Sequence, residues 1–167
     1  MEKLIKNGLS SAQLKYIAVL SMLIDHIAVV LLNPVSITYW VSRFIGRLAF
    51  PIFVFLMVEG FRKTSNRLNY IKRIFIFAII SEIPFNLFSS LVLSKVIMLF
   101  YPYNNVLWTF LIALCGLSLL EKIEKSKKLN KIIKFVGKII ISFISIMIAY
   151  LIKSDYLGYG VITVLIF

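Results

Sequence analysis

The sequence predicts an all-α fold, a polytopic bundle of transmembrane helices with a cytoplasmic N-terminus, and three observations carry that reading. Of the 167 residues, 60% are hydrophobic and only 16% are charged, whereas a soluble domain carries about 25% charged residues. With a mean hydropathy of +0.95, no water-soluble fold could hide the apolar surface. The 14 Phe and the many Ile and Leu fall in long blocks, not in the short periodic stretches of an amphipathic globular helix. The basic residues collect in alternate segments between those blocks, the signature of cytoplasmic loops and of contact with anionic lipid.

A helix needs about 20 mostly apolar residues to cross a bilayer, and five segments meet or approach that length: Leu14–Leu32, Phe44–Phe61, Ile74–Leu93, Val106–Leu120 and Ile132–Ile152. The first could pass for a cleavable signal peptide. Asp25 and His26 interrupt its core, however, and no small-x-small cleavage pattern follows, so it reads as an uncleaved first helix. A sixth block opens at Tyr156 and reaches Phe167 still apolar. That block is too short to cross, so the chain is expected to be C-terminally incomplete, a truncated sixth span on five full ones. Residues 1–167 are read as one membrane domain, without internal repeat or low-complexity tract.

Basic residues set the orientation. Lys3, Lys6 and Lys15 precede the first span, Arg62, Lys63, Arg67, Lys72 and Arg73 lie between the second and third, and seven lysines from Lys122 to Lys138 lie between the fourth and fifth. The other side holds Arg43, Arg47, Lys95 and Lys153. This alternation places the N-terminus and the two basic connections in the cytoplasm, and a multi-pass protein of the plasma (inner) membrane follows. The excess of 19 Lys and Arg over 7 Asp and Glu is thereby explained by lipid, and nucleic acid is not an expected partner. The single cysteine, Cys115, excludes an intrachain disulfide. With no CxxC pair and one histidine, no zinc site of the usual composition can form, and no metal is expected.

Ionisable side chains within the apolar segments carry the functional signal, because each costs about 2.5–3.5 kcal/mol to insert and is normally turned to the bundle interior. His26 lies twelve residues into the first span, about 18 Å of helical rise, in the outer half of the membrane, where an imidazole can act as acid or base near neutrality. Its neighbour Asp25 does not face it on a helix, so a carboxylate from another helix is expected to orient the ring. Arg43 and Arg47, four residues apart, could clamp an anionic group, or snorkel to lipid phosphate. Pro51 just after them is expected to kink the second span. Glu59 lies within reach of Arg62 and Lys63 as a local surface pair. Glu82, with Asn86 and Ser89 on its stripe and Pro84 nearby, has no basic residue within a turn, so its partner must come from another helix unless desolvation keeps it protonated. Asn104, Asn105, Thr109 and Gly116 follow on the fourth span, where small and polar residues often serve packing.

The segments LKYIA (14–18), IDHI (24–27), RFIGRLAFPIF (43–53), VEGF (58–61), SEIPF with Asn86 (81–86) and NNV (104–106) together resemble the TraX family, which is named for a conjugative-plasmid protein required to acetylate the N-terminus of F pilin. The likeness runs in order from residue 14 to 167. It departs at Ala28, where glycine is expected, at Asn86, where aspartate is expected, and in ending before the family's last helices. A more distant similarity is to the larger group of membrane acyltransferases that use a first-helix histidine. The resemblance implies acetyl transfer from acetyl-CoA to an amine or hydroxyl acceptor, such as a pilin N-terminus or a cell-envelope component. In that chemistry His26 is the general base or brief acyl carrier, with Asp25 beside it. Arg47, helped by Arg43 or Asn105, meets the developing oxyanion or an anionic part of the substrate, and Glu82 or Glu59 orients the imidazole. Asn86 joins the substrate-binding set. Two other classes compete: a proton-linked small transporter, which predicts pseudo-symmetric halves that the sequence does not display, and a non-catalytic membrane assembly partner, which would tolerate loss of His26.

Overall fold

The computed structural model describes residues 8–99 and 102–167, apart from the side chains of 93 and 94. Lys3 and Lys6 lie outside the described residues. Among the described residues seven helices follow one another: α1 (Ser11–Leu31), α2 (Ile37–Arg47), α3 (Ala49–Lys63), α4 (Arg67–Ser94), α5 (Val106–Lys125), α6 (Lys131–Leu151) and α7 (Leu157–Ile166). Five stretches of the described residues are long and apolar enough to cross a membrane, the second of them made of α2 and α3 together, while α7 is shorter. The protein is an all-helical, multi-pass membrane protein. The chain divides into two compact units, Met1–Glu59 and Gly60–Phe167.

In the first unit α1 opens with a reciprocal cap. The Ser10 hydroxyl accepts from the Gln13 N–H at 3.2 Å, and the Gln13 side chain accepts from the Ser10 N–H at 2.8 Å, so two of the four orphan donors of the first turn are satisfied. The helix ends at Leu31 with Leu32 already extended, and Pro34 biases Asn33 away from helical geometry as well. The Asn33 carbonyl accepts from both the N–H and the hydroxyl of Ser36, closing a tight turn, and Ser36 then caps α2 through the Tyr39 N–H at 3.1 Å. This short turn lays α2 back along α1. The covered stripe of α1 is Ala18, Ser21 and Ala28, with Asp25 between them. Small residues there let the two backbones approach, as helices do in lipid. The opposite face of α1 exposes Tyr16, Leu20, Leu23, Ile27 and Leu31, which is correct for a surface solvated by acyl chains.

The expected second span, Phe44–Phe61, is two helices. Proline has no N–H to give the Arg47 carbonyl four residues before Pro51, and its ring crowds that turn. The ladder accordingly tightens there, with the Leu48 N–H bonded to the Ile45 carbonyl at 3.1 Å. Pro84 has no such effect: α4 runs through it unbroken from Arg67 to Ser94.

In the second unit α5 is the central helix, burying Thr109, Phe110, Ala113, Leu114, Gly116 and Leu117 and packing on α4, α6 and α7. Gly116 makes the α5–α6 approach possible, since a methyl there would stand 2.7 Å from the Ser145 hydroxyl oxygen. Asn66, Asn105 and Asn130 cap α4, α5 and α6 with their side-chain oxygens.

The helix ends correct the sequence reading. Lys72 and Arg73 were expected in a loop, as were Lys122, Lys125, Lys131, Lys134 and Lys138, yet all lie on helices. Hydropathy marks where the hydrocarbon ends, whereas a helix continues until a capping residue or an extended backbone closes its hydrogen-bond ladder.

Candidate functional site

The polar side chains of the first unit gather where α1 meets α2. Arg43, two turns into α2, donates from Nη1 to Asp25 Oδ2 at 2.5 Å. One turn later Gly46 is buried against the same aspartate, and a methyl at that position would overlap the Asp25 carboxyl group. Asp25 and Arg43 thus spend their charges on each other across the helix pair, with side chains only 20% and 24% exposed. The expected clamp of two arginines on a substrate anion is not what Arg43 makes. Arg47, at the last residue of α2, is exposed.

His26 follows Asp25 by one residue and so turns to a different side of α1. Its Nδ1 lies 2.7 Å from the Met22 carbonyl oxygen one turn back. A carbonyl oxygen only accepts, so Nδ1 carries the proton, and in the neutral ring the basic lone pair is on Nε2. The sequence reading looked for a carboxylate from another helix to orient the ring. At Nδ1 the partner is a backbone oxygen of α1 itself, because the imidazole reaches down its own helix face. At the other end of α1, Glu59 Oε2 accepts from the Ser11 hydroxyl at 3.5 Å, and Ser11 lies about four turns of helix before His26.

The second unit holds a separate cluster around Glu82. Its Oε2 receives the Trp108 indole N–H at 2.9 Å, the Asn105 backbone N–H at 3.4 Å and the Asn105 side-chain amide. The amide of Asn105 also donates to the Ala78 carbonyl at 2.9 Å, and its Oδ1 accepts from the Leu107 N–H at 2.9 Å. One buried side chain therefore starts α5, ties it to α4 and fixes Glu82. Asn105 was expected to bind substrate, but all its polar atoms are committed to the fold. Glu82 does take its partners from another helix, and they are N–H donors rather than a cation.

Asn86, 4% exposed, donates to the Leu99 carbonyl at 3.0 Å, and Ser90 one turn on accepts from the Met98 N–H at 3.0 Å. Both hold the connection leaving α4. Three buried oxygens have no hydrogen-bond partner among the described residues: Asp25 Oδ1, Glu82 Oε1 and Asn86 Oδ1. A buried polar atom left so is costly unless it serves a purpose.

Sequence reasoning missed Trp108, the Met22 carbonyl and Ser154. For Trp108 a signal existed, since a half-buried indole N–H needs an acceptor and this one stands three residues after Asn105 on the same helix face. Ser154 belongs to the tight α6–α7 turn, where Thr109 donates to the Asp155 carbonyl and meets the Ser154 hydroxyl at 3.1 Å. Asn104 pairs with this turn through its backbone, at 3.1 Å to the Lys153 carbonyl and 2.9 Å from the Asp155 N–H. These contacts hold Lys153, Tyr156 and Leu157 at positive φ, a conformation non-glycine residues keep only when their surroundings impose it.

With this geometry in hand, comparison with known proteins is decisive for the family. The chain matches the TraX protein family over residues 10–167. It belongs to the TraX family. It is also 36% identical over 113 residues to the probable fimbrial assembly protein FimC, serogroup H1, of Dichelobacter nodosus, an alignment that covers 65% of this chain and 45% of that protein. The chain thus spans about half the length of the curated relative it matches. No solved structure matches it.

Proposed function

We propose that this TraX-family chain forms the membrane-embedded centre of an acyltransferase that moves an acetyl group from acetyl-CoA to an amine or hydroxyl acceptor. A protein subunit of a fimbria, presented at its N-terminus, is the acceptor suggested by the assembly role in the relative's name. The proposed location is the inner membrane, where the donor reaches the protein from the side of the basic helix ends.

The observation that carries the reading is His26, in a family-matched segment, with Nδ1 held by the Met22 carbonyl and Nε2 therefore basic. In the proposed reaction the acceptor nitrogen or oxygen attacks the thioester carbonyl carbon while Nε2 takes the acceptor's proton. The resulting oxyanion is met by Arg47, the exposed arginine that ends α2. Collapse expels the coenzyme thiolate, which takes the proton back from the imidazolium. Asp25 acts on this centre as a positioning residue: its ion pair with Arg43 fixes α1 against α2, and so fixes the azimuth at which His26 stands.

The test is His26→Ala in the protein as it occurs, assayed in membranes with radiolabelled acetyl-CoA and an amine-bearing acceptor peptide. Loss of a general base costs about 10²–10⁴ in rate, so transfer should fall to near background while membrane insertion is kept. Transfer within a few-fold of wild type would refute the mechanism. It would leave the assembly-partner reading, in which the polar groups act only as ties between helices.

A further inference from the structure

We propose that the cleft between the first turn of α4 and the last turns of α5 binds a phosphate-bearing group through Arg67, Lys122 and Lys125. The cleft encloses about 240 Å³ and is lined by Arg67, Leu68, Ser118, Glu121, Lys122 and Lys125. That volume lies below the range of roughly 300–1,000 Å³ typical of sites that engulf a whole small molecule. It suits the charged end of a ligand whose remainder lies outside.

The charge in the cleft is arranged, not merely present. The Arg67 guanidinium is stacked over the Phe61 ring, 4.9 Å from its centroid, and bonded to Glu121 Oε2, so its fork is held before any ligand arrives. Lys125 reaches the same Glu121 oxygen at 3.3 Å. Two cations thus already converge on one anionic oxygen, and that oxygen marks where an anion is stabilised. Lys122, on the same wall, has no hydrogen-bond or ion-pair partner among the described residues, and the Ser118 hydroxyl one turn before it can donate. Three cations against one carboxylate leave the cleft with an excess of two positive charges. A single carboxylate ligand would merely exchange with Glu121. A phosphate offers more charge and more oxygens, enough to share Arg67 and Lys125 with Glu121 and to engage Lys122 as well. The cleft also opens at the basic helix ends, the level at which phosphate headgroups lie.

Two sources present this chemistry, an anionic lipid headgroup and a soluble phosphate, and the experiment separates them. The purified full chain in neutral detergent is titrated with inorganic pyrophosphate by calorimetry. In parallel, it is extracted from nanodiscs of phosphatidylcholine containing a minor fraction of phosphatidic acid, and the lipid retained is counted by native mass spectrometry. Binding in the first arm identifies a soluble-phosphate site, and retention confined to the second identifies a headgroup site. In whichever arm binds, Lys122→Ala should weaken binding about tenfold or more, the loss of one charge-assisted hydrogen bond. Glu121→Gln, which removes the competing carboxylate, should tighten it. Lys128→Ala, an equal loss of charge in the adjoining turn, should change it by less than twofold. No binding in either arm, or equal loss from Lys128→Ala and Lys122→Ala, would overturn the site in favour of a diffuse basic surface.

Discussion

Replacing Gly46 by alanine sets one methyl group against the side chain on which the first unit's polar cluster depends. The added Cβ would stand 2.7 Å from Asp25 Cγ and closer still to Cβ and Oδ1. Carbon atoms pack at about 3.5–4.0 Å, so α2 must retreat from α1 by about 1 Å. A retreat of that size draws the 2.5 Å contact between Arg43 and Asp25 apart unless the arginine follows. Overpacking alone costs about 1–3 kcal/mol. Full rupture of a buried pair costs about 3–5 kcal/mol, to be discounted here because a fifth to a quarter of each side chain is exposed. Together these predict a loss of roughly 2–4 kcal/mol. The assay is unfolding of the purified protein in mixed micelles with rising dodecyl sulfate, followed by Trp fluorescence. Asp25→Ala serves as the second arm of a cycle, because the two changes act on one contact and must combine less than additively. A Gly46→Ala protein within about 0.5 kcal/mol of wild type, or costs that add to within about 0.5 kcal/mol, would refute the close approach of α1 and α2.

Asn105→Ala removes the α5 cap and two donors from Glu82, and should destabilise the protein by about 2–4 kcal/mol in the same assay. Arg47→Lys keeps the charge but loses the planar fork, so acetyl transfer should fall at least about tenfold with stability unchanged, and full activity would return Arg47 to an interfacial role. Lys95 ends α4 with φ 55°, so Lys95→Gly should raise stability by about 1 kcal/mol, and a decrease would contradict that cap.

How much of this was legible in the sequence depends on how far apart the interacting residues lie. The five apolar stretches and the all-helical class could be read, because the bilayer imposes one length and one composition on each span. The break at Leu48 was legible through Pro51, since proline acts on the turn immediately before it. Helix ends were not, because lysine and arginine end the hydrocarbon-facing stretch without ending a helix. The partners of Asp25 and Glu82 were also hidden. Each lies 18 or more residues away on another helix, and nothing local singles out Arg43 as an arginine that meets Asp25.

The same comparison divides the candidate site by role. Inserting Asp25, Arg43 and Glu82 into an apolar bundle is tolerable because each is met by a partner across a helix interface: an arginine, an aspartate, and the N–H groups of Asn105 and Trp108. Such groups hold helices in register, and their loss reads first as instability. His26 is met differently, by the carbonyl of its own helix, a bond that contributes nothing to joining one helix to another. In the proposed mechanism that bond has a chemical task, since it fixes the tautomer that makes Nε2 the base. For this reason stability and acetyl transfer should part company at His26 and fall together at Asp25.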